Sequence, residues 1–86
     1  MNRVEAEAII ADEGLSRYVR FSAPDGTAAD KVCLFEEGNT WITLMTDERA
    51  VVQEPTVRTF ASESAALEDL IDGLRVLKSA KEFRGR

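Results

Sequence analysis

Residues 31–45, KVCLFEEGNTWITLM, limit the possible folds more than any other stretch of the chain. They hold two segments of alternating side chains joined by Gly38-Asn39, a pattern typical of two β-strands and a tight connection. Alternation places successive side chains on opposite sheet faces. In the first strand, one face carries Val32 and Leu34 and the other carries Cys33 and Phe35. In the second, one face carries Trp41, Thr43 and Met45 and the other carries Ile42, Leu44 and Thr46. Because both faces are apolar, both need some cover.

A helix is predicted on the N-terminal side of this hairpin, over residues 2–13. Asn2 and Glu5 have the spacing of a capping box. Apolar residues recur at helical intervals, and we expect the buried stripe to consist of Val4, Ala8, Ala11 and Leu15, widened by Ile9 and Ile10. Gly14 supplies the left-handed residue that often ends a helix.

Four strands are predicted, over residues 17–22, 31–37, 40–49 and 56–61. Ser62 then caps a second helix, whose apolar stripe consists of Leu67, Leu70, Ile71, Leu74 and Leu77. Short connections, among them Ala23-Pro24-Asp25-Gly26, favour antiparallel pairing of neighbours. We therefore expect one α+β domain over 1–86, a four-stranded antiparallel meander flanked by an N-terminal and a C-terminal helix (α-β-β-β-β-α). Residues 80–86 are expected to form a flexible tail.

Two helices cover only one face of such a sheet well. If both pack on the same face, some of Tyr18, Phe35, Trp41 and Met45 must lie on the other one. Exposed aromatic and methionine side chains rimmed by acids are typical of a protein-binding patch. The alternatives are a strongly curled sheet, or one helix on each face.

Residue types missing from the sequence argue against catalysis. The chain has no histidine, which removes Ser-His-Asp and Cys-His mechanisms and the usual zinc and haem ligand sets. Cys33 is the single cysteine, and its place in a strand favours a packing role. Asp47 and Glu48 are adjacent, so strand alternation directs them to opposite faces, which does not suit an acid/base pair. We expect no enzyme activity, catalytic residue, metal or cofactor, although a carboxylate site for a hard cation stays a third hypothesis.

The net charge of −5 is unevenly distributed. Residues 1–74 hold fifteen acidic and six basic side chains, whereas residues 75–86 hold one acidic and five basic ones. Nucleic-acid binding needs a basic face, so the acidic body argues against it and favours a basic protein partner. The other interpretation is simple solubility. No apolar run approaches a membrane span and the N-terminus lacks a signal-peptide core, so we expect a cytoplasmic protein without membrane contact.

Residues 40–75 resemble small bacterial immunity proteins of polymorphic-toxin and contact-dependent growth inhibition systems. The resemblance lies in an aromatic-rich strand ending in Glu48-Arg49, then a strand ending in Phe60-Ala61-Ser62-Glu63, then Ala66 early in a helix. Ala50 stands where the family element has glycine. The resemblance implies a non-enzymatic inhibitor that binds a cognate toxin domain, many such toxins being nucleases with basic surfaces.

On this hypothesis the partner is a basic toxin domain and the binding residues are acids with aromatic and methionine anchors. The predicted set is Tyr18, Asp25, Asp30, Glu36, Glu37, Trp41, Met45, Asp47, Glu48, Arg49 and Glu54. Asp47-Glu48 and Glu36-Glu37 are expected at opposite ends of the hairpin, on two separate rims. The alternative function is a structural or regulatory module that self-associates, as a homodimer for example.

Overall fold

The computed structural model describes residues 1–84, which form two helices and a four-stranded mixed sheet. The elements are α1 (Arg3–Asp12), β1 (Val19–Arg20), β2 (Val32–Glu37), β3 (Thr40–Met45), β4 (Arg58–Phe60) and α2 (Glu63–Arg84), with 3-10 turns at Ser16–Tyr18 and Glu54–Thr56. The α+β class and the positions of both helices are as predicted. Within the described residues, no helix is both long and apolar enough to cross a membrane.

The ends of α1 match the sequence prediction, and the predicted apolar stripe is correct in part, since Ile10 and Leu15 are buried. Asn2 and Glu5 form the capping box, and Gly14 follows the helix with a φ of 67°. The buried residues are Ala6 and Ile10, whereas Val4 of the predicted stripe is 74 % exposed. α1 lies against α2, and this neighbour selects the buried face of a helix whose apolar residues lie on several sides.

The expected all-antiparallel meander is wrong at the first strand. The sheet order is β1-β2-β3-β4 and the last two pairings are antiparallel, but β1 pairs with β2 in parallel, Val19 opposite Val32. The sequence prediction treated Ala23-Pro24-Asp25-Gly26 as a hairpin turn. Instead residues 21–31 return the chain to the end where β1 begins, which is the connection that parallel strands need.

All four predicted strands are shorter in the structure, β2 by a single residue, and the last helix is longer. Residues 16–18 form a 3-10 turn in place of the start of the first strand, and β3 ends at Met45 with only an isolated bridge from Thr46 to Val52. The predicted flexible tail falls partly within α2, which continues to Arg84. Residues 85–86 lie outside the described part of the chain.

The core lies between the sheet and the two helices, which share one face. Its α2 members are Ala66, Leu67, Leu70, Ile71 and Leu74, packed with Ala6 and Ile10 of α1, Leu15, and Val32 and Leu34 of β2. The helix stripe predicted for α2 is therefore the buried one. Gly73 lies where α2 crosses the sheet, since a Cβ there would be 3.3 Å from the Met45 Cε and 3.4 Å from the Val32 Cγ1. The missing side chain allows this close approach.

Basic residues of α2 form hydrogen bonds and an ion pair with other parts of the fold. Arg75 donates two hydrogen bonds to the Glu13 carboxylate, at 2.8 and 2.7 Å, and Lys78 donates to the Glu13 carbonyl at 2.6 Å. Lys81 pairs with Asp30 at 2.8 Å. Lys78 thus satisfies a carbonyl at the C-terminal end of α1, which a cation suits.

Leu70→Ala is expected to destabilise the protein by about 2–5 kcal/mol, since it leaves a cavity at a fully buried position. This is a large part of the roughly 5–15 kcal/mol that natural domains possess. Denaturant unfolding followed by circular dichroism measures the change. The matched control, Val4→Ala on the exposed side of α1, should shift stability by less than about 0.5 kcal/mol. Equal effects of the two substitutions would contradict the core described above.

Candidate protein-binding surface

The sheet face away from the helices is covered over only part of its area. Ala28, Cys33 and Leu44 are buried there, apart from the helix-side core. The segment after β1 supplies this cover, because the Thr46 hydroxyl, on the same face as Leu44, donates a hydrogen bond to the Ala28 carbonyl. The loop therefore covers the half of this face nearest the start of β2.

The other half of the same face carries apolar side chains that remain accessible. Phe35 and Ile42 are paired across β2 and β3 and are only half-buried. Their neighbours on this face are Glu37 and Thr40 at the hairpin end and Thr59 on β4. We call these five residues the outer patch. Its apolar centre and polar margin match the general composition of a protein interface.

Tyr18, Trp41 and Met45 do not lie on this face, contrary to their expected role as exposed anchors. All three are partly buried against the helix-side core. Of the four residues considered for the uncovered face, the structure places only Phe35 there. Ile42 was missed because alternation assigns residues to faces without showing which face the helices cover.

The predicted acids lie on two rims, as the hairpin geometry suggested. Glu36 and Glu37 lie beside the β2–β3 turn, opposite Trp41 and Thr40. Asp47 and Glu48 follow the other end of β3. A strand of this length separates the two rims by about 15–20 Å. The predicted residues therefore do not form one cluster.

Asp47 organises the loop that follows β3. Its carboxylate accepts hydrogen bonds from the Arg49 and Val51 amides, at 2.8 and 3.0 Å. These hydrogen bonds, the one from Val51 foremost, lower the pKa of Asp47. Ala50 within this loop has a φ of 64°, the left-handed conformation that favours glycine.

Asp25 and Asp30 also stabilise the fold itself. Hydrogen bonds from the Thr27 hydroxyl and amide, helped by the nearby Arg20 guanidinium, lower the pKa of Asp25 to about 2. The Arg20 Nη2 lies 3.1 Å from the Asp25 carboxylate and joins β1 to the loop. Asp30, with a φ of 55°, pairs with Lys81 of α2.

Four predicted acids have no such role. Among the side chains of residues 1–83, those of Glu36, Glu37, Glu48 and Glu54 form no ion pair or hydrogen bond, and they are exposed. Arg49 is exposed as well. Their charges are free to act on another molecule.

The single cysteine lies in the interior of the sheet. Cys33 is fully buried, and burial raises the pKa of its thiol, which disfavours the reactive thiolate. Among the described residues, no group of three or more His, Cys, Asp or Glu side chains is arranged to hold a metal ion.

Protonation of Asp25 is expected to contribute to a loss of folding stability at low pH. Its folded-state pKa is about 2 against an ordinary value of 3.8, so its stabilising contribution is complete above pH 3.8 and disappears as pH falls towards 2. Asp25→Asn should be less stable than the unchanged protein at pH 7, with the difference narrowing towards pH 2. Thermal unfolding over this pH range measures both. A difference that stays constant down to pH 2 would show that the carboxylate charge has no part in it.

Ala50→Gly is expected to stabilise the protein by about 0.5–1 kcal/mol, because glycine adopts the positive φ without strain. Ala61→Gly is the matched control in a loop position where φ is not positive, and it should be neutral or destabilising through greater freedom of the unfolded chain. Urea unfolding compares the two variants. Destabilisation by Ala50→Gly would contradict the loop geometry.

Comparisons of the chain with protein-family models, with curated proteins and with solved structures find no match. The geometry and charge of the surface described here are therefore the basis for a functional proposal.

Proposed function

We propose that this protein is an immunity protein: it binds and neutralises a basic bacterial toxin domain, such as a nuclease, through the outer patch and the acids at the β2–β3 turn. It acts by occupying a surface of the toxin and has no catalytic activity of its own. The resemblance of residues 40–75 to such immunity proteins supports this class. The surface chemistry supports the type of partner.

The observation that carries the proposal is the position of two unpaired acids next to accessible apolar side chains. Glu36 and Glu37 are exposed at the end of β2, and Glu37 shares the sheet face of Phe35 and Ile42. An apolar centre contributes affinity through burial, whereas rim charges mainly accelerate association and select the partner. Together they favour a partner with an apolar contact surrounded by lysine and arginine.

The distribution of ion pairs strengthens this charge argument. Six basic side chains, those of Arg3, Arg20, Arg58, Arg75, Lys78 and Lys81, form ion pairs within the described residues. Six of the nine lysine and arginine side chains in residues 1–83 are thus paired within the fold. The acids that remain give the surface a negative potential, which attracts a basic protein at low ionic strength.

Self-association through the outer patch is the alternative function, since Phe35 and Ile42 are accessible. A two-fold dimer would bring the same patch from both copies together. Glu36 and Glu37 of one copy would then lie near those of the other, and like charges at an interface are unfavourable. The acids therefore favour a basic partner over a second copy.

The first test is capture of partners from a bacterial lysate by the tagged protein, followed by co-expression of the captured protein with and without it. We expect one stoichiometric basic partner, released by high salt, whose toxicity the protein suppresses. Recovery of the protein alone as a dimer would overturn the proposal in favour of self-association. A captured partner without toxicity would also contradict an immunity function.

A pair of double charge reversals locates the binding rim. Glu36→Lys with Glu37→Lys should weaken partner binding by about 10- to 100-fold and reduce its dependence on salt, because Glu37 belongs to the outer patch and Glu36 precedes it at the same end of β2. Glu48→Lys with Glu54→Lys is the matched control, since it changes net charge equally on the far rim. Asp47 is left unchanged because it holds its loop together. Calorimetric titration measures both variants, and equal losses would exclude a site at the β2–β3 turn.

A further inference from the structure

A groove lies between α2 and the β3–β4 edge, on the helix side of the sheet. Its volume is about 240 Å³. Val32, Met45 and Gly73 contribute to its lining, and Val76, which is 63 % exposed, stands beside them on α2. Pockets for drug-sized ligands usually measure about 300–1,000 Å³, so this groove suits one long side chain better than a whole small molecule.

Gly73 lines the groove at the point where α2 packs closely on the sheet. A Cβ at this position would lie 3.3 Å from the Met45 Cε and 3.4 Å from the Val32 Cγ1. The sequence drew attention to a glycine within a helix, a position that costs about 1 kcal/mol relative to alanine. Its absent side chain lets Met45 and Val32 approach the helix backbone, and these residues form the apolar floor of the groove.

The two carboxylates that line the groove, those of Asp69 and Asp72, differ in their hydrogen bonds and ion pairs. The Asp69 carboxylate is fully occupied, accepting hydrogen bonds from the Thr43 hydroxyl and from Arg58, both at 2.7 Å. Arg58, the cation in the lining, is thereby neutralised. Asp69 and Arg58 thus form a closed pair at one wall.

Asp72 is different. Its side chain is 78 % exposed, and its contact with Arg75 is long, at 3.9 Å. Arg75 is directed instead to Glu13, with which it forms two short hydrogen bonds. Asp72 therefore presents a negative charge without a close partner at the margin of an apolar groove.

We propose that this groove receives a lysine or arginine side chain from the partner, its aliphatic stem on the apolar floor and its charge at Asp72. Long cationic side chains combine these two parts, and their stems pack well on apolar surfaces. Arg58 lines the groove, and the next residue of β4, Thr59, belongs to the outer patch. A partner covering the β4 edge can thus contact both sites. The basic character of the partner rests on the proposed function.

Arginine amide is the probe for this site, because it carries the guanidinium without any partner protein. Nuclear magnetic resonance titration should show saturable shifts of the Thr43, Gly73 and Val76 amides. Citrulline amide has nearly the same shape but carries a neutral urea group in place of the guanidinium, and it should bind about tenfold more weakly. Equal binding of the two probes, or shifts centred on the β2–β3 turn, would overturn the assignment.

Asp72→Asn removes the charge while keeping the shape of the side chain, and it should weaken arginine amide binding by about tenfold. Glu68→Gln is the matched control: it removes an equal charge from an exposed position of α2 outside the groove lining, and it should leave binding unchanged. Equal losses of arginine amide affinity in both variants would show that general surface charge causes the loss, and would contradict the proposal.

The probe experiment separates this inference from the proposed function. Localised probe binding without any captured toxin would support the groove and overturn the immunity function. Capture of a toxin whose affinity is unaffected by Asp72→Asn, with no localised probe binding, would overturn the groove alone.

Discussion

The structure depends on the packing of the apolar stripe of α2 against β2. Leu67, Leu70 and Leu74 are fully buried, and Val32 and Leu34 of the sheet join the same cluster. A chain of this size buries a modest core, so a single helix supplies a large share of it. α1 adds only Ala6 and Ile10 to the core from its own span, and its position follows from that of α2. The other sheet face consequently depends on a loop for its cover.

Some charged side chains of this protein form contacts that stabilise the fold, and others are exposed without such contacts. The basic C-terminal residues belong to α2 as far as Arg84, and Arg75, Lys78 and Lys81 bind Glu13 at the end of α1 and Asp30 in the loop before β2. Asp25, Asp47 and their hydrogen-bond partners likewise hold loops. Four other acids, Glu36, Glu37, Glu48 and Glu54, are exposed, and within residues 1–83 their side chains form no ion pair or hydrogen bond.

Helix ends and the central hairpin were predictable because local interactions determine them. The capping box at Asn2, the left-handed Gly14 and the alternation over residues 31–45 each depend on neighbours a few positions apart. The separation of the acids into two rims followed from the same hairpin. Parallel pairing of β1 was not predictable, because it depends on the path of residues 21–31 across the sheet.

The sequence by itself determined the α+β class, the antiparallel hairpin, the buried stripe of α2 and the excess of acids, since periodicity and composition encode these directly. Only the tertiary structure decided which sheet face is accessible. Alternation shows that both faces of β3 carry apolar side chains but not which face is covered. Packing of the helices, which involves residues far apart in the sequence, determines the covered face. This arrangement packs Trp41 and Met45 against the helix-side core and leaves Phe35 and Ile42 on the face that the helices do not cover. The candidate surface therefore lies on the other side of the strand from Trp41 and Met45.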